Sequence, residues 1–145
     1  MPSQMLWTLE GTLSLKEKQI MPHFIIDCSE NVLTQRTPEE MMQAVYDVAE
    51  STALFAQNDI KVRLNPYTFY KLGENKKDFI HVFAHIMQGR STEQKATLSR
   101  KTIERLNELF PNLSILSMNV QEFDASTYCN KSLIHPQNTT GNRHF

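Results

Sequence analysis

The sequence has few cysteines, no excess of either charge and no long apolar run. Its two cysteines, Cys28 and Cys129, are too few for a disulfide scaffold and are typical of a reducing compartment. A formal net charge of -1 gives no broad basic surface, which argues against nucleic acid as a partner. No stretch approaches the roughly 18 apolar residues of a membrane span. We therefore expect a cytoplasmic protein with neither a membrane nor a nucleic-acid partner.

Several catalytic motifs are also missing from the sequence. It contains no HExxH, CxxC, glycine-rich phosphate loop or GxSxG, so metal, disulfide-exchange, nucleotide and serine-hydrolase chemistry have no support. His81 and His85 lie four residues apart on an apolar strand, roughly ~13 Å between their Cα atoms, which is far for one metal ion. We interpret them as sheet histidines with satisfied hydrogen bonds, and Cys28 as an inert core thiol. No metal site and no cofactor are expected.

The composition is that of one globular domain, with 40% hydrophobic and 21% charged residues. Residues 1–21 differ from the rest: they lack a basic start, and Glu10 and Gly11 interrupt any apolar segment, so a signal peptide is not indicated. We interpret them as an extension, either a misassigned start or an expression remnant, with a functional arm over a neighbouring subunit as the alternative. The predicted domain covers residues 22–145, with a polar tail from about residue 128.

The first half of this domain predicts a strand, a helix and a second strand. Pro22 to Cys28 is rich in β-forming residues, and its alternate residues point to opposite faces. Thr37–Glu40 is a capping box with proline at the first helical position, and helical spacing continues to about Phe55. Ile60–Leu64 alternates as a half-buried strand does. A loop is predicted from Pro66 onward.

The second half repeats this order. Phe79–Met87 is a nearly continuous apolar strand, expected at the centre of a sheet. Ser91–Gln94 forms a second capping box, helical spacing runs to Pro111, and Leu113–Phe123 is the last strand. Two tandem βαβ units predict an α+β fold, with a four-stranded sheet and two helices on one face. We expect the other face to carry a large apolar patch that drives oligomerisation.

Three cations are candidates for binding an anion. Arg90 precedes the second helix, whose free N–H groups favour anions, and arginine can bind a carboxylate through two hydrogen bonds. Lys61 and Arg63 are two residues apart on one strand and so share a face. The alternatives are a solvated loop arginine for Arg90 and a charged edge strand for the other two.

Met21-Pro22 at the start of a strand is the candidate source of the base. If translation begins at Met21, or if the preceding residues are removed, the methionine is normally trimmed and Pro22 becomes a free secondary amine. An α-amino group has an ordinary pKa near ~8, and burial or nearby cations lower it towards neutrality. Such an amine is a general base at cytoplasmic pH, whereas an internal proline nitrogen has no proton to exchange. The alternative is that Pro22 has only a structural role, as a proline at the first position of a strand.

The segment Met21-Pro22-His23-Phe24-Ile25-Ile26-Asp27-Cys28-Ser29 resembles the start of the 5-carboxymethyl-2-hydroxymuconate delta-isomerase family of the tautomerase superfamily. The resemblance extends through Ile60-Lys61-Val62-Arg63 and Gly89-Arg90-Ser91 to about Phe123 and the tail.

The resemblance implies a cofactor-independent homotrimer with sites near the subunit interfaces. It also implies that Pro22 is the catalytic acid/base, and that Arg90 and Arg63 bind the anionic groups of the substrate, with Lys61 beside them. The expected substrate is a small dicarboxylate or tricarboxylate enol or unsaturated keto acid from bacterial breakdown of homoprotocatechuate. The sequence departs from the family at Lys61, where the family has arginine, and lysine lacks the planar fork of arginine. The rival hypothesis is a catalytically silent trimeric binding protein in which Pro22 remains an amide.

Overall fold

The computed structural model describes residues 21–134. Four strands carry the fold: β1 (His23–Ser29), β2 (Lys61–Tyr67), β3 (Phe79–Met87) and β4 (Ile115–Phe123). Two helices connect them, α1 (Pro38–Ser51) between β1 and β2, and α2 (Thr92–Leu109) between β3 and β4. Short 3-10 turns lie at Glu30–Thr34, Gln57–Asp59, Ala125–Thr127 and Lys131–Ile134.

The strands form one mixed sheet in the order β2-β1-β3-β4. β1 is parallel to β2, β3 is parallel to β4, and the two βαβ units join through the antiparallel pair of β1 and β3. The predicted α+β architecture and the central place of β3 are therefore confirmed. Both helices begin with the predicted capping boxes, Thr37 with Glu40 and Ser91 with Gln94.

The core lies between the two helices and one face of the sheet. Alternate residues of β1 and β3 are fully buried on that face, and they pack against the apolar sides of α1 and α2. Those contributed by the sheet are Phe24, Ile26, Cys28, Ile80, Val82, Ala84 and Ile86, and those contributed by the helices include Met41, Val45, Ala49, Leu98 and Leu106. The predicted alternation of faces along β1 is confirmed.

Two predicted boundaries were wrong. The loop expected at Pro66 is the end of strand β2, which pairs with β1 through Tyr67. β2 is an edge strand, where the missing N–H of a proline leaves no ladder bond broken. Helix α1 ends at Ser51 rather than near Phe55, because the Thr52 hydroxyl donates to the carbonyl of Ala49 and Ala53 enters the left-handed region at a φ of 59°.

The uncovered face of the sheet differs from the expected apolar patch. Cross-strand registers place polar residues there in rows, alternating with apolar and aromatic ones. One row across the four strands is Lys61, His23, His85 and Gln121; the next is Arg63, Ile25, Phe83 and Asn119. The prediction of a large apolar patch was wrong, because β3 was taken as apolar on both faces while its histidines all point to this one.

Within residues 21–134, no helix is both long enough and apolar enough to cross a membrane.

Candidate active site

Pro22 lies at the entry to β1 on the helix-covered side of the sheet. It is buried, as are Phe24 and Ile26 further along the same face. Its carbonyl oxygen accepts a hydrogen bond from the Lys61 backbone N–H at 3.1 Å, which fixes the start of β1 against the start of β2. The nitrogen of Pro22 is thus held at a rigid, largely dry position.

Met21 has an unusual backbone conformation for the residue before a proline. Its φ is 72°, in the left-handed region, whereas the steric demands of a following proline favour extended conformations. A residue with a side chain pays roughly 1–2 kcal/mol in that region. The peptide joining residues 21 and 22 is therefore held under local strain.

Arg90 is the most deeply buried cation of the described chain, with 9% of its surface exposed. One of its terminal nitrogens (NH2) donates to the carbonyl oxygen of Leu54, and its guanidinium carbon lies 5.2 Å from the centre of the Phe55 ring. The other terminal nitrogen (NH1) is buried and has no hydrogen-bond partner among residues 21–134. Burial lowers the pKa of Arg90 to about 10, partly offset by the nearby carboxylate of Glu122, so it remains charged at neutral pH.

Arg36 occupies the equivalent place in the first βαβ unit and shows what is particular to Arg90. Each arginine directly precedes a helix cap and binds a carbonyl near the end of the other helix: Arg36 binds Leu109, as Arg90 binds Leu54. Arg36, however, is 39% exposed and forms an ion pair with Glu40 at 3.8 Å. Arg90 makes the same kind of hydrogen bond to a backbone carbonyl, but it also has a buried N–H donor without an acceptor in the described chain. A buried guanidinium donor of this kind can bind an anion such as a carboxylate.

Lys61 and Arg63 lie together on the uncovered face of edge strand β2, as predicted from their spacing. Lys61 Nζ donates to the carbonyl of Asp59 at 2.7 Å, and desolvation lowers the pKa of this ammonium group. The described contacts do not bring them onto the face that holds Pro22. The chain therefore divides its candidate residues between the two sides of one sheet.

His23, which the sequence analysis passed over, contacts one of the candidate cations. It directly follows Pro22, faces the uncovered side, and its Nδ1 lies 3.1 Å from the NH1 nitrogen of Arg63. Its Nε2 lies 3.2 Å from the sulfur of Met21. The signal available in the sequence was its register: His23 is paired with Lys61 on the neighbouring parallel strand, two residues from Arg63 on the same face.

The two sheet histidines of β3 and Cys28, which the sequence analysis interpreted as non-catalytic, have the following surroundings. His81 is satisfied on both ring nitrogens, by Ser117 at Nδ1 and by Asn119 at Nε2, each at 2.6 Å. His85 stacks on Phe83 with ring centres 6.3 Å apart. Cys28 is fully buried, and burial raises its pKa to about 11, which is the behaviour of an inert thiol. Residues 21–134 contain no group of three or more His, Cys, Asp or Glu side chains arranged to hold a metal ion.

Comparison with known proteins gives concordant matches. The family described as 5-carboxymethyl-2-hydroxymuconate isomerase matches residues 22–138. The chain is 22% identical over 122 residues to the 5-carboxymethyl-2-hydroxymuconate Delta-isomerase of Escherichia coli, covering 79% of this chain and 97% of that protein. The crystal structure of a 5-carboxymethyl-2-hydroxymuconate isomerase from Deinococcus radiodurans R1 superposes with a TM-score of 0.69 at 25% identity, covering 83% of this chain and 96% of the other. A fused 4-OT, an asymmetric trimer, shares the fold at a TM-score of 0.63 and 11% identity, covering 75% of this chain and 92% of the other.

The fold and these matches define an isomerase with the architecture of the tautomerase superfamily. Within that class, the chain belongs to the 5-carboxymethyl-2-hydroxymuconate isomerase family.

Proposed function

We propose that this isomerase moves a proton between carbons of a small dianionic enol or unsaturated keto acid of the 2-hydroxymuconate type, in bacterial degradation of homoprotocatechuate. Pro22 is the acid/base, and Arg90, Arg63 and Lys61 bind the anionic groups of the substrate. The E. coli and D. radiodurans relatives carry the name of this reaction, which supports the substrate class. The reaction needs no cofactor and takes place in the cytoplasm.

The role of Pro22 requires a free amine, and three observations support it. The nitrogen lies at a buried, rigid position, and burial lowers the pKa of an amine towards neutrality. The family match begins at residue 22. The positive φ of Met21 is disfavoured for a residue before proline, and removal of Met21 would relieve that strain, which supports a chain that begins at Pro22.

The buried, unpartnered donor of Arg90 is the observation that carries the proposal. A buried guanidinium N–H without an acceptor is costly, and a carboxylate supplies both the acceptor and the opposite charge. The same charge stabilises the dienolate that forms when a carbon-bound proton passes to the Pro22 amine. Returning that proton to a different carbon completes the isomerisation with no change of oxidation state.

The division of residues between two sheet faces supports an assembly in which sites are shared. Lys61 and Arg63 face away from the side that buries Pro22, so their charges serve a site completed by a neighbouring chain. We place them in a homotrimer, an assembly that the fused 4-OT neighbour also forms. The uncovered face, with its mixed polar and aromatic rows, is then an interface rather than a surface in water.

The test compares a chain in which Pro22 is the free N-terminus with a chain in which an amide joins Pro22 to Met21. One chain begins at Met21, so that trimming leaves Pro22 free; the other begins one residue earlier with Ile20→Met, which retains both methionines and the amide. Intact mass fixes each N-terminus, and the loss of conjugated enol absorbance reports turnover of a 2-hydroxymuconate-type enol.

We expect the amide form to be at least about 100-fold slower, the lower range for loss of a general base. A matched Pro22→Ala variant of the first chain controls for packing of the ring. Equal rates for the free and the amide form would favour the rival hypothesis, in which any turnover is incidental and the trimer acts as a binding protein.

A further inference from the structure

His23 contacts Arg63 in a way that fixes the protonation state of the imidazole. A guanidinium group only donates hydrogen bonds, so the Nδ1 atom 3.1 Å from Arg63 NH1 must accept and carries no proton. The remaining hydrogen of neutral imidazole is then on Nε2, 3.2 Å from the Met21 sulfur, a weak acceptor. Removal of Met21 leaves the Arg63 contact intact, because the other ring nitrogen makes it.

The surroundings of His23 disfavour its protonated form from several sides. Lys61 and Arg63 face it from β2, and His85 faces it from β3, directly opposite in the register. From β4 the Phe123 ring stands edge-on, 6.5 Å between ring centres, and contributes no charge. Burial and these three groups all lower the pKa of His23. The ring is thus neutral at pH 7 and remains an acceptor.

We propose that His23 is a positioning residue: its neutral Nδ1 holds the Arg63 guanidinium ready for a substrate carboxylate, and its protonation releases Arg63. A protonated Nδ1–H would set two donors against each other at hydrogen-bonding distance, so the contact cannot survive protonation. Arg63 has a long side chain that is exposed in the single chain, and without this acceptor the substrate itself must order it. This inference rests on the proposed function in taking Arg63 as an anion-binding residue.

The consequence is a loss of anion affinity in acid that does not arise from the substrate. Carboxylates lose their charge near pH ~4, well below the ordinary value of ~6.5 for histidine. Because the pKa of His23 is lowered, the loss of affinity begins below pH 6.5 as the pH falls. Protonation of His23 should therefore raise the Kd for anions and the KM, whereas the acid/base step at Pro22 determines kcat.

The experiment measures binding of adipate, a non-reacting dicarboxylate, by calorimetry between pH 5 and 8, using the chain that begins at Pro22. We expect wild-type affinity, taken relative to that of His23→Asn, to fall about tenfold towards the acid end, the change for one lost charge-assisted hydrogen bond. In His23→Asn an amide oxygen can replace Nδ1 as a non-titrating acceptor, so the two affinities are similar at pH 7.5. Titration of adipate and of the Pro22 amine affects both proteins and cancels in this ratio. In His23→Leu affinity is low throughout. His81→Asn, on the same face but bound to Ser117 and Asn119, should keep the wild-type profile.

A second measurement requires no variant and no turnover. The ¹⁵N NMR shifts of the His23 ring should show an unprotonated Nδ1 at pH 7.5, whether or not the protein isomerises anything. A protonated Nδ1 overturns the proposal, and so does a His23→Asn profile that follows wild type or wild-type affinity in His23→Leu. Since binding and NMR are read without catalysis, an inactive enzyme with the expected profile would count against the proposed reaction alone.

Discussion

Arg90 carries its positive charge where nine-tenths of its surface is removed from water. Burying a charge costs several kcal/mol, and here one carbonyl, one aromatic ring and the nearby Glu122 carboxylate return only part of that. Arg36 fulfils the same connecting role between helices with its side chain partly in solvent. This contrast is why we propose Arg90, and not Arg36, as the residue that binds an anion.

A methionine at position 90 should separate the two roles. Arg90→Met keeps the apolar length of the side chain and removes the buried charge, so we expect a free energy of unfolding within about 1 kcal/mol of wild type, or higher. Binding of adipate should weaken by about 10- to 100-fold, the range for a lost hydrogen bond to a charged group. Urea unfolding and calorimetry measure the two quantities. Arg36→Met, the matched control, should leave binding unchanged; weaker binding in both variants to the same degree would assign Arg90 a structural role only.

At the scale of elements, the signals that predicted the fold were local. The capping boxes at Thr37 and Ser91 are complete within four residues, and the strand β3 was correct at both ends. The errors arose where the answer depends on distant neighbours. Pro66 is accommodated within strand β2, which ends at Tyr67, because β2 lies at the edge of the sheet. The polar character of the uncovered face required the register between strands, which no single segment contains.

The cap of helix α2 follows directly after Arg90 and fixes where that helix begins. The Ser91 hydroxyl accepts from the Gln94 N–H at 3.0 Å, and the Gln94 side chain accepts from the Ser91 N–H at 2.9 Å. We expect Ser91→Ala to lower the free energy of unfolding by about 1 kcal/mol, measured by urea denaturation. Thr92→Ala, one residue on at an exposed position inside the helix, should be neutral or stabilising because alanine is the better helix former. Equal losses in both variants would contradict a specific capping contribution.

At the scale of the whole molecule, the sequence could name the candidate residues but not bring them together. Pro22 directly precedes β1, Lys61 and Arg63 lie on the neighbouring β2, and the resemblance implied that they serve one site. In the protomer the pleat of the sheet sends Pro22 to the helix side and the two cations to the other. His23 was missed for the same reason, since its importance comes from an arginine 40 residues away. In an oligomer, Pro22 of one subunit and the two cations of a neighbouring subunit could still lie in one site.

Mixing two inactive variants tests whether sites form between subunits. The chain that begins with Ile20→Met keeps Pro22 as an amide and so lacks the proposed base, and the chain with Lys61→Ala and Arg63→Ala lacks the cations of the uncovered face. If each site takes its base from one subunit and these cations from the next, random mixing gives an intact base beside intact cations in about a quarter of the sites. Unfolding and refolding an equimolar mixture should therefore restore about a quarter of wild-type activity, above the sum of the separate variants. Each variant refolded alone is the control, and mass measurement of the native assembly checks that mixed trimers have formed. Mixed trimers with no added activity would mean that every site lies within one chain, so that Lys61 and Arg63 act on the edge of the sheet and not on the substrate.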